Sequence, residues 1–201
     1  MNRTVRWALL AMLLLVTAAS VWTLQRLRPT PPLHGNVLEP PMEAFNFELS
    51  SAAGPVRLGD YRGKLVVLFF GYTFCPDVCP TTMLRLRDAL QQLSPAERRA
   101  VQVAMITVDP KRDTPERMRT YAASFDPSFA GLSGTPGEIG LVAAKYGIYH
   151  QAQKGSDATT YLVDHTASTF VLDREGRLRL IWPHAITGEQ MAEDLAQLLD
   201  E

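Results

Sequence analysis

The sequence predicts an α/β domain built on a central mixed β-sheet flanked by helices, and three observations carry the prediction. Two continuous apolar, β-rich runs, KLVVLFFG at Lys64–Gly71 and VQVAMITV at Val101–Val108, have the signature of strands buried on both faces. Helical spacing follows each of them, over Val78–Leu93 and from Thr114 to about Phe125. Late in the chain, Thr169–Leu172 and Leu178–Trp182 flank the turn Asp173-Arg174-Glu175-Gly176, a hairpin signal.

Taken from the N-terminus, the first segment is WALLAMLLLVTAASVWTL, a charge-free run from Trp7 to Leu24, with Arg3 and Arg6 before it and Arg26 and Arg28 after it. A bilayer takes about 17–25 apolar residues, so residues 1–28 are expected to hold a transmembrane helix with Trp7 and Trp22 near its interfaces. The alternative is a cleaved signal segment, for which Ala18-Ala19-Ser20 supplies small residues. The anchor is preferred because apolar residues continue past that site to Leu24. Either reading sends the C-terminal domain to a non-cytoplasmic space, where disulfides are permitted. The proline-rich stretch RPTPPLHGNVLEPP runs from Arg28 to Pro41, and residues 29–43 are read as a semi-extended tether in which His34 is a solvated spacer.

The domain proper is expected over residues 44–201. Phe45–Leu49 and Val56–Leu58 look like short strands around Ala53-Gly54-Pro55. In the helix at Val78–Leu93, Met83, Leu86, Leu90 and Leu93 share one side. Thr114 is an N-cap candidate with Pro115 in the first turn of the next helix. Pro136–Tyr146 reads as a short helix closed by Gly147, and Gln151–Thr160 as a polar loop. Thr187–Leu199 closes the chain as an amphipathic helix with Met191, Leu195, Leu198 and Leu199 on its apolar face. Strand, helix, strand, helix, then hairpin and helix is a thioredoxin-like order. At 46% apolar composition over 201 residues the chain can bury one good core. Its 20 Lys and Arg against 21 Asp and Glu point away from nucleic acid or another polyanion as a partner.

The two cysteines of the chain, Cys75 and Cys79, fall where the first buried strand gives way to a helix. A helix N-terminus offers unpaired N–H groups and partial positive charge, which favour thiolate, the form that binds metals and attacks disulfides. Pro76 and Pro80 restrict the backbone around the pair. Three readings compete: a structural disulfide, a catalytic redox dithiol, or a metal site. The disulfide would close too small a loop to stabilise much. A metal site needs another ligand, and His165, just before Thr169–Leu172, lies where the loop entering that strand approaches the dithiol. A hydrogen-bonded loop histidine is the plain alternative for it. His150 and His184 read as surface or loop residues. Asp77 and Asp164 are the nearest carboxylates by sequence and could orient the site. Two thiolates with one imidazole suit copper, Cu(I) in particular, whereas structural zinc wants a fourth protein ligand.

FGYTFCPDVCP at Phe70–Pro80, Thr107-Val108-Asp109-Pro110 followed by Arg112-Asp113-Thr114-Pro115, Gly131-Leu132-Ser133-Gly134, and Val163-Asp164-His165-Thr166 together resemble the Sco/SenC family. These are membrane-anchored, thioredoxin-like copper chaperones that serve the binuclear copper A centre of cytochrome c oxidase. The resemblance covers about Phe45 to Leu199, departing slightly at Ser168 and Thr169, where an aromatic-containing form is common. It implies that Cys75, Cys79 and His165 are copper ligands, with Cu(I), Cu(II) or both as cargo. It implies the copper A subunit of the oxidase as acceptor, with a copper donor or a thioredoxin-like reductant as further partners. Asp109 and Asp113 are assigned to organising the loop and helix start.

The expected function is therefore a copper metallochaperone rather than an enzyme. The alternative is a thiol–disulfide oxidoreductase that keeps a partner's cysteines reduced. A peroxidase of the same broad fold needs an arginine assisting Cys75, and the sequence around Cys75 supplies none.

Overall fold

The computed structural model describes residues 2–26, 31–153 and 161–201, in two units, Met1–Pro32 and Leu33–Glu201. The first unit holds helix α1, Arg3–Arg26. The charge-free run Trp7–Leu24 lies inside it, but Ala8, Ala18 and residues 21–26 are outside those whose side chains are described. Among the described residues no helix is long and apolar enough to cross a membrane. The segment expected to be a transmembrane helix is a helix over Arg3–Arg26.

The second unit begins where a tether was expected. Strand β1 (Asn36–Glu43) pairs antiparallel with the last strand of the sheet, and its register shifts between Val37 and Met42. Pro40 and Pro41 sit inside that irregularity, on an edge strand, where a missing backbone donor breaks no internal ladder. His34 is no solvated spacer either. Its backbone N–H and its Nδ1 both meet Asp194 Oδ1, at 2.9 and 2.8 Å, and its Nε2 lies 3.3 Å from Glu193 Oε2. Asp194 is buried and also accepts from the Trp182 indole N–H at 2.7 Å, so this stretch is fastened to the domain.

A two-stranded ribbon follows, β2 (Glu48–Ser51) with β3 (Gly54–Arg57), shifted from the expected strands by up to three residues. Next come β4 (Leu65–Gly71), α2 (Val78–Gln92), α3 (Pro95–Arg99), β5 (Val101–Thr107) and α4 (Pro115–Phe125). Then come β6 (Ala130–Leu132), α5 (Pro136–Lys145), β7 (His150–Ala152), β8 (Val163–His165), β9 (Thr169–Leu172), β10 (Arg177–Trp182) and α6 (Gly188–Asp200). The main sheet has six strands in the order β1-β10-β9-β4-β5-β6, with β4, β5 and β6 parallel and the other pairings antiparallel. The mixed sheet flanked by helices is as the sequence predicts. Every residue of β4 is buried, which a strand in the sheet centre with helices over it requires. Thr114, Thr135 and Thr187 each cap a helix by accepting a backbone N–H from three residues on. Gly147, at φ +66°, closes α5 in the left-handed region.

Several short elements escaped the sequence reading, β7 and β8 among them. Strand β6 has three residues, too few to show a period, and α3 is a single capped turn. The stretch Gln151–Thr160, expected as a polar loop, opens inside β7; residues 154–160 of it lie outside the described residues.

Candidate metal centre

Strand β4 ends at Gly71, and the chain then turns through Tyr72–Asp77 into α2. Asp77 is the N-cap residue, so Cys75 lies in the turn and Cys79 in the first turn of the helix. Their closeness is thus a product of the turn and not of two positions on one helix face. The Cys79 backbone N–H donates to Cys75 Sγ at 3.4 Å, and both cysteines are free thiols. Cys79 is fully buried, while Cys75 keeps partial access to solvent. Gly71 makes room for the buried sulfur: a Cβ at that position would stand 2.7 Å from Cys79 Sγ.

The third expected residue arrives from the other side. His165 ends β8, and its Nε2 lies 3.5 Å from Cys79 Sγ. Its Nδ1 is 3.1 Å from the Val163 carbonyl, which fixes that nitrogen as the donor and leaves the Nε2 lone pair facing sulfur. Tyr72 holds both parts together. Its ring meets the His165 imidazole edge-on at 5.5 Å, and its hydroxyl accepts from the Val163 N–H at 3.2 Å. The three sequence-predicted residues are therefore neighbours. They do not form a closed cage: among the described residues no group of three or more His, Cys, Asp or Glu side chains converges on one point.

The two thiols differ in acidity. Cys75 is held well below the usual thiol value, at about 5, first by the hydrogen bond from the Cys79 thiol and then by the N–H groups of Cys79 and Asp77. The His165 imidazole adds to this, while burial opposes it. Cys79 is pushed far up by donating to Cys75, by burial and by the neighbouring negative charge. At neutral pH the pair thus carries one thiolate, on the accessible sulfur. We expect iodoacetamide to alkylate Cys75 of the reduced, metal-free protein with a rate that is already at plateau at pH 7 and halves near pH 5. A rate still climbing between pH 7 and 9, as for an ordinary thiol, would overturn that assignment.

The carboxylates expected to orient the site do not do so. Asp164 is exposed on the outer face of β8 and accepts from the Gln153 amide at 2.7 Å. Asp77 acts through its N–H, and its carboxylate accepts only from the exposed Thr81 hydroxyl at 3.3 Å. The carboxylate that shapes the turn is Asp113. It accepts from the Thr73 N–H at 2.9 Å, the Thr73 hydroxyl at 2.5 Å and the Thr107 hydroxyl at 2.8 Å.

Arg112 was also invisible in the local sequence. Its guanidinium lies over the Tyr161 ring at 3.7 Å and the Phe74 ring at 4.6 Å, and it bonds Asp109 at 2.5 Å, itself bound to the Tyr161 hydroxyl at 2.7 Å. His184 contributes only its carbonyl, to Arg85, and His150 is taken up below.

The donor set fits copper. Bonds of about 2.0–2.3 Å to one ion put neighbouring ligand atoms about 3–4 Å apart, which the Cys79–His165 separation already satisfies. Cys75 Sγ lies beside them in the turn, accepting from the Cys79 N–H at 3.4 Å. Soft thiolates with one imidazole select copper over harder cations.

The chain is similar to known proteins over most of its length. The family model described as SCO1/SenC matches residues 38–200. A SCO2-like protein of Rickettsia prowazekii is 32% identical over 183 residues, covering 88% of this chain and 89% of its own length. The bovine mitochondrial SCO2 homolog is 34% identical over 152 residues, and the match spans 75% of this chain but only 57% of that relative. Among solved structures, apo Sco1 of Thermus thermophilus is 43% identical with a TM-score of 0.75, covering 84% of this chain and 96% of that one. ScoI of Bradyrhizobium japonicum, solved with copper bound, is 38% identical with a TM-score of 0.71, covering 78% and 99%.

Proposed function

We propose that this chain, which belongs to the SCO1/SenC family, carries one copper ion on Cys75, Cys79 and His165 and surrenders it to the copper A site of a cytochrome c oxidase. The observation that supports this most is the Cys79–His165 pair, 3.5 Å apart, with the imidazole lone pair turned to sulfur. Copper is cargo here. A three-coordinate site with one ligand in a turn permits an incoming acceptor thiol to replace Cys75 first, because that sulfur keeps partial access to solvent while Cys79 is buried. The N-terminal apolar helix and the mitochondrial setting of the bovine relative support work in a non-cytoplasmic space.

Anaerobic Cu(I) titration of the reduced protein tests the ligand set. His165→Ala is expected to weaken Cu(I) binding by at least about a hundredfold, the loss of one of three direct bonds exceeding the roughly 10–100-fold cost of losing an outer partner. Unchanged affinity in that variant would sink the assignment.

A second reading, reduction of a partner's disulfide, is favoured by the contrast between the thiols. The Cys75 thiolate would attack one sulfur of the partner disulfide and release the other as a thiolate. Cys79 would then give up its proton and attack Cys75 in the mixed disulfide, freeing the second partner thiol. The chain's own pair is oxidised by two electrons as the partner's is reduced. This chemistry needs no imidazole ligand. A His165→Ala variant that keeps reductase activity but fails in oxidase assembly separates the two readings in favour of copper delivery.

A further inference from the structure

Strands β7 and β8 form a separate two-stranded ribbon in the register His150↔His165, Gln151↔Asp164 and Ala152↔Val163. Its outer backbone bonds fall on the flanking pairs: the Thr166 N–H donates to the Tyr149 carbonyl at 3.0 Å, and the Gln153 N–H to the Leu162 carbonyl at 2.8 Å. Bonded and non-bonded pairs alternate along an antiparallel ladder, so His150 and His165 are a non-bonded pair. In such pairs the Cα atoms are about 4.5 Å apart and the side chains leave side by side on the same face.

That face is the one turned to the domain. Val163, two residues before His165, is buried, while Gln151 and Asp164 of the opposite face are exposed. His150, Ala152 and Val163 line a cleft of about 530 Å³ together with Asp109, Arg112 and Tyr161. His165, on the same face, reaches Cys79. The ribbon therefore carries two imidazoles, not one, on the face from which His165 reaches the dithiol.

We propose that His150 is a second imidazole ligand, engaged when the bound copper is Cu(II). The proposal rests on the reading of Cys75, Cys79 and His165 as copper ligands. Two thiolates and one imidazole satisfy Cu(I), but Cu(II) prefers a tetragonal arrangement rich in nitrogen and oxygen donors. A neutral imidazole on the adjoining strand supplies the fourth position without bringing a further charge into the site. The register sets the two residues opposite each other, so a side-chain rotation of His150 within the open cleft is the movement the fourth bond asks of it.

Pulsed EPR of the full chain loaded with one equivalent of Cu(II) tests this, because remote imidazole nitrogens are counted from their modulation. The wild-type protein is expected to show two imidazoles, and His150→Ala, His150→Gln and His165→Ala one each. His150→Ala should also weaken Cu(II) binding by at least about tenfold, the lower end of what losing even an outer-shell partner costs. One imidazole in the wild-type protein, lost only in His165→Ala, would overturn the role of His150 and leave the three-ligand reading standing. A count that His165→Ala does not lower would overturn both.

Discussion

Asp113→Ala is expected to lower the stability of the domain by about 3 kcal/mol and to loosen the turn that carries Cys75. Asp113 is fully buried and accepts from two elements at once: Thr73 of the cysteine turn, through its N–H and hydroxyl, and Thr107 at the end of β5. Its own carbonyl accepts from the Ser133 hydroxyl at 2.6 Å, tying the same corner to the segment after β6. Removing the carboxylate leaves three donors without their acceptor, at about 1–3 kcal/mol for each buried one that stays dry, offset by release of a desolvated charge. Asp113→Asn, which keeps one acceptor oxygen in the same volume, should recover part of the loss. A urea midpoint lowered at constant slope is the stability readout. The alkylation profile of Cys75 is the functional one, since a loosened turn no longer presents its N–H groups to the sulfur. A loss below about 1 kcal/mol would place Asp113 among ordinary polar positions and refute its part in holding the turn.

Gly131→Ala is expected to cost about 3 kcal/mol or more, at the upper end of overpacking effects. A Cβ on Gly131 would stand 2.2 Å from the Met118 carbonyl oxygen and 2.3 Å from its carbon, with Arg119 N at 2.8 Å. These are backbone atoms of α4, so no side-chain rotation relieves the clash, and the helix must lift off β6. Lifting it disturbs Met118, which is fully buried, and the Thr114 cap adjoining Asp113. Gly140→Ala is the matched control: inside α5 the added Cβ meets nothing within 4 Å, and the change should stabilise by about 0.5–1 kcal/mol. Equal midpoints for the two variants would show that helix α4 tolerates displacement.

Much of the fold was legible because its main signals are local. The buried strands β4 and β5 announce themselves as unbroken apolar runs, and the helix starts at Thr114 and Thr187 are written in a capping hydroxyl followed by helical spacing. What was misread depends on distant partners. Residues 36–43 read as a tether because their prolines forbid a central strand; only the exposed edge of β10 makes room for them as an edge strand. His34 read as a spacer because Asp194, its partner, is 160 positions away. The apolar N-terminal run gave a helix, as its unbroken apolar stretch predicts.

The site divides in the same way. Sequence alone determined the reactive inventory: two cysteines where a strand gives way to a helix, a histidine just before a later strand, and a donor set soft enough for copper. These follow from residue identity and short-range backbone chemistry, which spacing reveals. Tertiary structure alone decided which groups meet. It set Cys79 against His165, left the more acidic thiol in the half-buried turn, and kept the Asp77 and Asp164 carboxylates out of the site, while Asp113 organises the turn as expected. It also laid His150 beside His165. The physical reason is that hydrogen bonds, burial and cross-strand register act over a few ångströms in space, and those distances are fixed only when segments dozens of residues apart are packed on one sheet.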